Sequence, residues 1–211
     1  MTPAVTTTAS ETRERILREA RALFLERGYD GAAMSQLAKR SGVTTPALYW
    51  HFASKSDLCA AVLERDYGNF LVQLHDRTAT GSPDERLRAF ATTYIELQIG
   101  DWEGAFTAGY TQLHEKVSEA ARAAIKDTTI EIINTLKGIL RDGRELGIFA
   151  VPDLTLIAYA LITMCEYVYV WYRPGGRLTP REIGVIYGEL AANLVRPATP
   201  SLPHPGASAS R

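Results

Sequence analysis

The chain has 211 residues, of which 46% are hydrophobic and 22% are charged, and its formal net charge is −1. An apolar fraction of this size excludes a mostly disordered chain, because it can bury enough surface to offset the entropy lost on folding. The only two cysteines, Cys59 and Cys165, lie far apart in sequence and exclude a disulfide scaffold. Since the first ten residues also lack the basic and apolar regions of a signal peptide, we expect a cytoplasmic protein.

Charge is distributed slightly unevenly along the chain. Residues 1–60 hold 8 Lys and Arg against 6 Asp and Glu, whereas residues 61–211 hold 15 against 18. A basic head on an acidic body is compatible with nucleic-acid binding, but a difference this small is weak evidence for it.

Helical periodicity dominates the sequence. Apolar residues recur at helical spacing along most of the chain, and no alternating strand pattern bounded by tight-turn residues is present. The sequence therefore predicts an all-α protein. Capping residues mark several helix starts, among them Ser10, Ser54 and Thr179. In chain order, the expected helices and helical segments cover residues 10–28, 34–40, 45–52, 55–76, 84–99, 102–114, 118–146, 153–173 and 179–196.

Residues 34–52 predict a helix–turn–helix unit, because two short helices are joined by the Gly-containing turn 41–44. Pro46 stands in the first turn of the second helix, where its missing N–H costs little. In such units the second helix enters the DNA major groove, and its first residues approach base edges. The positions expected on the outer side and tip, together with the following helix start, are Thr44, Thr45, Pro46, Ala47, Tyr49, Trp50, His51 and Lys55.

Each of these polar groups has a specific use at DNA. Thr hydroxyls can contact phosphate or base, and their methyl groups can contact thymine. Tyr49, His51 and Lys55 can reach phosphate oxygens. A plain helical hairpin explains the same spacing, however, and the second helix has no Arg or Lys to make the commonest guanine contact.

A longer set of motifs identifies the head of the chain. They are Ile16-Leu17, Leu23-Phe24, Gly28-Tyr29, Met34-Ser35-Gln36-Leu37-Ala38, Ser41-Gly42-Val43-Thr44-Thr45-Pro46-Ala47-Leu48-Tyr49-Trp50-His51-Phe52 and Ser54-Lys55-Ser56-Asp57-Leu58. With these motifs, residues 10–63 resemble the DNA-binding domain of the TetR family of bacterial repressors. The resemblance adds Ser35 and Gln36 to the candidate DNA-binding residues. It departs at Ala32-Ala33, where family members often carry a Thr or Ser helix cap; Ser35 is the candidate substitute.

The resemblance implies a division of the chain into four regions. Residues 1–9 form a disordered N-terminal arm, and 10–63 form a three-helix DNA-binding domain. Residues 64–196 form a helical domain for effector binding and dimerisation, followed by a Pro/Ser/Ala-rich disordered tail at 197–211.

Helix 153–173 is apolar nearly all round, which indicates a buried helix or a membrane span. A span is disfavoured because Glu166 and two Thr interrupt the helix and no second span exists. Burial against a second subunit or in a monomeric core explains it better, and the family resemblance implies a homodimer. The expected interface residues on this helix and the last one are Leu156, Tyr167, Ile183, Ile186, Tyr187, Leu190 and Leu194.

Aromatic residues cluster in the second half of the chain. Such residues are usually core, but the resemblance implies an effector pocket there, and pockets are mostly apolar with a few polar groups. The glycines at 100, 104 and 109 weaken a helix and predict a movable segment beside it. The candidate pocket residues are Tyr94, Trp102, Phe106, Tyr110, Tyr159, Met164, Glu166, Tyr169 and Arg173.

The stretch 171–180 is similar to a subgroup of TetR regulators that govern fatty-acid or steroid breakdown and respond to acyl-CoA thioesters. The phosphates of such a ligand need cations, for which Arg122, Arg173 and Arg177 are candidates. Arg173 has a second explanation, because a cation at a helix C-terminus is favourable without any ligand.

These observations together predict a ligand-responsive transcriptional repressor that a small hydrophobic effector, such as an acyl-CoA, releases from a palindromic double-stranded operator. No catalytic constellation is found, and no cofactor is expected, because none of the four His pairs with Cys or carboxylates at metal-ligand spacing. The alternatives are an all-α hydrophobic-ligand carrier or enzyme without DNA binding, a repressor of a multidrug efflux gene, and an architectural DNA-binding protein without an effector.

Overall fold

A computed structural model describes residues 8–100 and 113–197. These residues contain no strand, and the prediction of an all-α protein is confirmed. The predicted arm at 1–7, most of the predicted segment 102–114 and the tail from 198 lie outside the described residues. The helices are α1 (Ala9–Gly31), α2 (Met34–Arg40), α3 (Thr45–His51), α4 (Lys55–Thr78), α5 (Pro83–Ile99), α6 (Glu119–Glu145), α7 (Leu154–Glu166), α8 (Val168–Trp171) and α9 (Pro180–Val195).

The first helix begins earlier than the sequence predicts. Its N-cap is Thr8 rather than Ser10: the Thr8 hydroxyl accepts a hydrogen bond from the Glu11 N–H, and the Glu11 carboxylate accepts one from the Thr8 N–H. This reciprocal pair satisfies two donors that a helix start leaves free. Ser10 therefore lies inside the helix, and residues 8 and 9 are not part of a disordered arm. The backbone leaves the helical conformation at Gly28 (φ 70°), where the sequence predicts the end.

The apolar stretch predicted as one helix from 153 to 173 is two helices. The buried Gln98 side chain donates a hydrogen bond to the Glu166 carbonyl over 2.7 Å. The Val170 N–H, which would bond that carbonyl in a continuous helix, bonds the Tyr167 carbonyl instead. A side chain from α5 thus ends α7 at Glu166, and the prediction was wrong because apolarity alone does not show where a neighbouring helix intervenes.

Two hydrophobic cores hold the fold together. The first joins α1 to the short helices and the start of α4, through residues such as Leu17, Leu37 and Leu48. The second joins α4 and α5 to the remaining C-terminal helices, through residues such as Phe90 and Leu136. Helix α4 contributes to both cores, with the side chains of Leu58, Cys59, Val62 and Leu63 in the first, and of Phe70 and Leu74 in the second.

The first core is completed from a distant part of the chain. Leu113, Val117, Ala121 and Ile125, in and before the first turns of α6, are buried against the residues of α1 to α4. A division of the chain at residue 63 therefore separates these four residues from the core to which they belong.

Helices α5 and α9 pack with their backbones in close approach. A Cβ atom added at Gly184 would lie 2.8 Å from the Thr92 carbonyl oxygen, and one at Gly188 would lie 3.1 Å from the Arg88 carbonyl oxygen. The missing side chains allow this approach, which sets the position of α9 and of its outward face.

We expect Gly184→Ala to lower the free energy of unfolding by about 1–3 kcal/mol, and with it the melting temperature, because the added methyl group meets main-chain atoms of α5. Gly138→Ala, within α6, is the matched control, since nothing lies within 4 Å of its added Cβ. That change should stabilise the helix by about 0.5–1 kcal/mol. Melting curves at equal protein concentration measure both, and equal melting temperatures for the two variants would refute this account of the packing.

Candidate functional site

The second helix of the predicted helix–turn–helix unit, α3, packs its inner side against the first core. Leu48 and Phe52 are buried in the first core, and Gly42 turns the chain with φ 63°. The Thr44 hydroxyl accepts a hydrogen bond from the Ala47 N–H and caps α3, as predicted. With its inner side fixed in this way, the helix presents its other residues outward.

The candidate DNA-binding residues lie outside the core. Trp50 is 77% exposed, and Tyr49 beside it is also exposed. Ser35 and Gln36 are exposed at the start of α2. The remaining candidates are all exposed or half-buried: Thr44, Thr45, Pro46, Ala47, His51 and Lys55. None of the ten is required to fill the core, so all are available to a partner.

Lys55 is held by a residue that the sequence analysis did not single out for this role. Its ammonium nitrogen lies 4.4 Å from the centre of the Tyr29 ring and 3.5 Å from the Asp30 carbonyl oxygen. A cation over an aromatic face is attracted by the negative charge density of the ring. Tyr29 therefore positions the Lys55 charge at the start of α4.

Arginines of α1 position the turn. The Arg15 Nε donates a hydrogen bond to the Ser41 carbonyl over 2.8 Å, and the Arg13 guanidinium lies 5.3 Å from the centre of the Phe52 ring. Their contacts join α1 to the turn before α3 and to the residue that follows α3.

A cavity of about 280 Å³ lies in the second half of the molecule, between α4, α5, α6 and α7. Its lining is mainly aromatic and aliphatic, with hydroxyl groups and one carboxylate, as expected for a site that binds an apolar ligand. The described residues that line it are Tyr67, Phe70, Tyr94, His114, Thr129, Ile132, Ile133, Tyr159, Ile162, Thr163 and Glu166.

Burial shifts the pKa values of the titratable groups in the cavity in the direction that favours their neutral forms. The Tyr67 hydroxyl and His114 Nε2 are hydrogen-bonded at 3.2 Å. Burial raises the pKa of Tyr67 to about 12 and lowers the pKa of His114, so both are uncharged at neutral pH. Burial also raises the pKa of the Tyr94 hydroxyl well above its ordinary value, and raises the pKa of Glu166.

The structure brings together part of the predicted pocket. Tyr94, Tyr159 and Glu166 line the cavity. Three further candidates, Trp102, Phe106 and Tyr110, lie outside the described residues. Sequence analysis missed the cavity residues of α4 and α6 and also His114, because only the packing of the helices brings them to one place.

The remaining pocket candidates lie elsewhere. Met164 and Tyr169 pack half-buried against the second core. The Arg173 guanidinium donates hydrogen bonds to the Tyr172 and Val170 carbonyls, over 2.9 and 3.4 Å, at the end of α8. This is the placement expected of a cation at a helix C-terminus. Arg173 and Arg177 line a separate surface cleft.

Comparison with known proteins matches both halves of the chain to described protein families. Residues 16–62 match the family of bacterial regulatory proteins called the tetR family, and residues 80–195 match the tetracyclin repressor-like C-terminal domain. The chain belongs to the TetR family. It is a DNA-binding transcriptional regulator of the helix–turn–helix type. In such units the second helix is the recognition helix, and α3 occupies that position.

Individual relatives agree with this assignment. The transcriptional repressor KstR2 of Mycobacterium tuberculosis is 29% identical over 178 residues, which cover 83% of this chain and 88% of KstR2. The solved structure of PfmR from Thermus thermophilus has a TM-score of 0.76 at 26% identity, covering 85% of this chain and 97% of PfmR. FadR from Bacillus subtilis, solved with stearoyl-CoA, shares the fold with a TM-score of 0.72 at 20% identity, covering 87% and 99% of the two chains.

Helix α7, Tyr167 just after it and helix α9 carry an apolar surface that the residues described by the structure leave exposed. Leu156 and Tyr167 are 66% and 62% exposed. On α9, exposed apolar side chains recur at helical spacing, at Ile186, Leu190 and Leu194. An exposed patch of this kind marks an interaction surface.

Two residues predicted for that surface point inward. Ile183 is only 2% exposed and belongs to the second core, and Tyr187 is half-buried against it. The reason is the close packing of α9 on α5, which turns this side of α9 toward its own subunit.

The described residues show no group suited to catalysis by metal or thiol. No cluster of three or more potential metal ligands occurs among them. Both cysteines are buried, and burial raises the pKa of Cys59 and of Cys165 to about 12, which keeps each thiol protonated. The relatives named above are transcriptional regulators rather than enzymes.

We expect Lys55→Met to weaken binding to DNA from the upstream region of the protein's own gene. It should also reduce the slope of log affinity against log salt by about 1, because one phosphate contact is lost. Tyr49→Phe should weaken binding without unfolding, since only a hydroxyl is removed. Fluorescence anisotropy at several salt concentrations measures both effects. Lys137→Met on α6 is the control, and wild-type binding by both test variants would contradict the assigned DNA face.

Proposed function

We propose that this TetR-family regulator is a repressor that a small hydrophobic effector releases from a palindromic operator, and that the effector is an acyl-CoA thioester. The observation that carries the proposal is that elements lining the cavity also hold the DNA-binding head. A ligand in the cavity acts directly on the attachments of the recognition helix.

The first attachment is α4. Asp66 is 2% exposed and forms ion pairs with Arg21 of α1, at 3.1 Å, and with Arg65, at 3.0 Å. The next residue, Tyr67, lines the cavity. Consecutive residues of α4 thus contact the DNA-binding head and the ligand site, so a shift of α4 at the cavity also shifts α1.

The second attachment is the segment before α6. His114 lines the cavity and bonds Tyr67, and Leu113 beside it is buried in the first core. Two residues further on, the Lys116 ammonium pairs with Asp30 at 3.3 Å, and its carbonyl accepts a hydrogen bond from Ser56 over 2.8 Å. This segment therefore connects the cavity to the C-terminal end of α1 and to the start of α4.

Thermodynamic linkage turns these contacts into a switch. DNA fixes the spacing of the two recognition helices in a dimer, and a ligand shifts an equilibrium only by binding two states with different affinity. An effector that prefers another spacing weakens operator binding, and the operator weakens effector binding by the same factor.

The choice of an acyl-CoA is supported by the relatives and by the sequence. FadR was solved with stearoyl-CoA, and the solved KstR2 is described as a ketosteroid transcriptional regulator. The stretch 171–180 of this chain resembles the same subgroup. The cytoplasm is the proposed site of action, because a bacterial operator lies there.

A homodimer explains the uncovered apolar surface of α7 and α9. The same surface on two copies, related by a twofold axis, forms a four-helix interface. It also supplies two recognition helices, which an inverted-repeat operator matches.

We expect Leu190→Lys combined with Leu194→Lys to shift the protein toward monomer, because two charges are buried at the subunit interface. Sedimentation at micromolar concentration measures the state. Val72→Lys is the control, since Val72 is an exposed apolar residue on α4. A double variant that sediments as wild type, or a monomeric wild type with full operator affinity, would refute the proposed interface.

We expect an acyl-CoA to lower operator affinity about 5- to 150-fold, the usual range of allosteric coupling. Thr129→Trp places a large ring in the lining of the cavity and should abolish this response while leaving DNA binding without ligand unchanged. Thr128→Trp is the matched control: each Thr hydroxyl bonds the carbonyl four residues before it in α6, but Thr128 is not part of the cavity lining.

Anisotropy titrations of labelled operator with and without acyl-CoA give both quantities. An acyl-CoA that binds the protein without changing operator affinity would show that the cavity is not a switch. An equal response of the two Trp variants would show that the ligand binds elsewhere.

A further inference from the structure

We infer that the cavity selects its ligand by charge: it accepts a neutral hydrogen-bonding group, such as the carbonyl of a thioester, and rejects a carboxylate. This inference rests on the proposed function, because it names the chemistry of the proposed effector site. It separates an acyl thioester from the free fatty acid of the same chain length, which is equally apolar.

The charges available to the cavity are of one sign. Among the described residues that line it, Glu166 is the only acid, and there is no Lys or Arg. The stretch 101–112, which the structure does not describe, contains no Lys or Arg in its sequence either. Its only charged residues are Asp101 and Glu103.

Two of the three arginines that the sequence offers for an anion bond the main chain. Arg122 donates to the Val117 carbonyl over 2.8 Å, and Arg173 donates to the Tyr172 carbonyl. The third, Arg177, lines the separate surface cleft, and none of the three lines the cavity. A ligand anion inside the cavity therefore meets no Lys or Arg among the lining residues that the structure describes.

The cavity nevertheless offers hydrogen-bond donors. The Tyr94 ring packs against Phe70 and Phe90, and Tyr94 lines the cavity. Its hydroxyl is a donor for an acceptor group of the ligand, and such a hydrogen bond stabilises the complex. The raised pKa of Tyr94 keeps this donor protonated.

A carboxylate and a thioester differ strongly in the free energy of entering this cavity. A carboxylate would lose its hydration in an apolar environment and would face the like charge of Glu166. A thioester carbonyl accepts the Tyr94 hydrogen bond with no charge to desolvate.

A lipophilic cation is the competing occupant, since aromatic rings beside a carboxylate attract cations. An ammonium group, however, has no acceptor for the Tyr94 hydroxyl. Of the thioester, the carboxylate and the ammonium, only the thioester both accepts the Tyr94 hydrogen bond and brings no charge into the cavity.

Three probes of equal chain length test the inference without DNA: S-octanoyl-N-acetylcysteamine, octanoate and octyltrimethylammonium. The first is a neutral thioester without the nucleotide. Calorimetric titration of the full chain should give an affinity for the thioester about tenfold or more above that for octanoate, because only the carboxylate brings a charge that must lose its hydration and meet the like charge of Glu166.

Two variants locate the selectivity. Glu166→Gln should raise octanoate affinity and bring the two ligands close together, because the like charge is gone. Tyr94→Phe should weaken the thioester about tenfold, because the hydrogen bond to its carbonyl is lost. Glu131→Gln is the control: Glu131 is exposed on α6 and is not part of the lining, so the ratio should stay at its wild-type value.

Other outcomes overturn the inference. Equal or tighter binding of octanoate by the wild type would show that no charge selection exists. Tightest binding of octyltrimethylammonium, lost in Glu166→Gln, would show a cation site. Binding of none of the three would show that the cavity does not take acyl groups.

The operator titrations distinguish this failure from that of the proposed function. If an acyl-CoA releases the operator but octanoate binds as tightly as the thioester, only the charge selection is wrong. If the thioester binds as expected and operator affinity never changes, the repressor switch is wrong and the charge selection stands.

Discussion

The fold depends on one constraint: the DNA-binding head does not close its own hydrophobic core. A unit of one long helix, two short helices and part of a fourth buries a small share of its surface, and small units of this kind are marginal alone. Here the deficit is met by Leu113, Val117, Ala121 and Ile125, which enter the head's core from the far half of the sequence. The orientation of the recognition helix is therefore set by contacts that the C-terminal half supplies.

The same constraint explains why the ligand cavity lies where it does. Residues that hold the head must come from helices that also reach the centre of the C-terminal half, and the space between those helices is the cavity. Asp66 and Tyr67 on α4, and Leu113 and His114 before α6, illustrate this, because in each pair one residue faces the head and the next faces the cavity. No separate relay of side chains is required between the two sites.

Sequence analysis predicted the features that local chemistry determines. The caps Ser54 and Thr179 and the Gly-containing turn at 41–44 were correct because each depends on neighbours within a few residues. The N-cap of α1 was misplaced although it is also local: Thr8 has a glutamate three residues on, and Ser10 does not.

The errors and omissions were those that depend on packing. An apolar stripe shows that a face is covered but does not name the partner, so Ile183 was assigned to the wrong side of α9. The break after Glu166 depends on Gln98, which is far away in sequence. The cavity residues of α4 and His114 carry no local signal at all, because tyrosine and histidine at helical spacing look the same whether they line a cavity or fill a core.

The shared core has a consequence for building hybrid regulators. Hybrid regulators are made by joining the DNA-binding domain of one protein to the effector-binding domain of another at the boundary that the sequence suggests. In this protein such a junction at residue 63 would leave the transplanted head against foreign side chains at positions 113, 117, 121 and 125. A working chimera has to carry those four side chains with the head, or choose a donor whose residues there have the same volumes. Compatibility between heads and bodies in this architecture thus depends on four side chains, in α6 and in the segment before it, that lie outside the head as the sequence divides it.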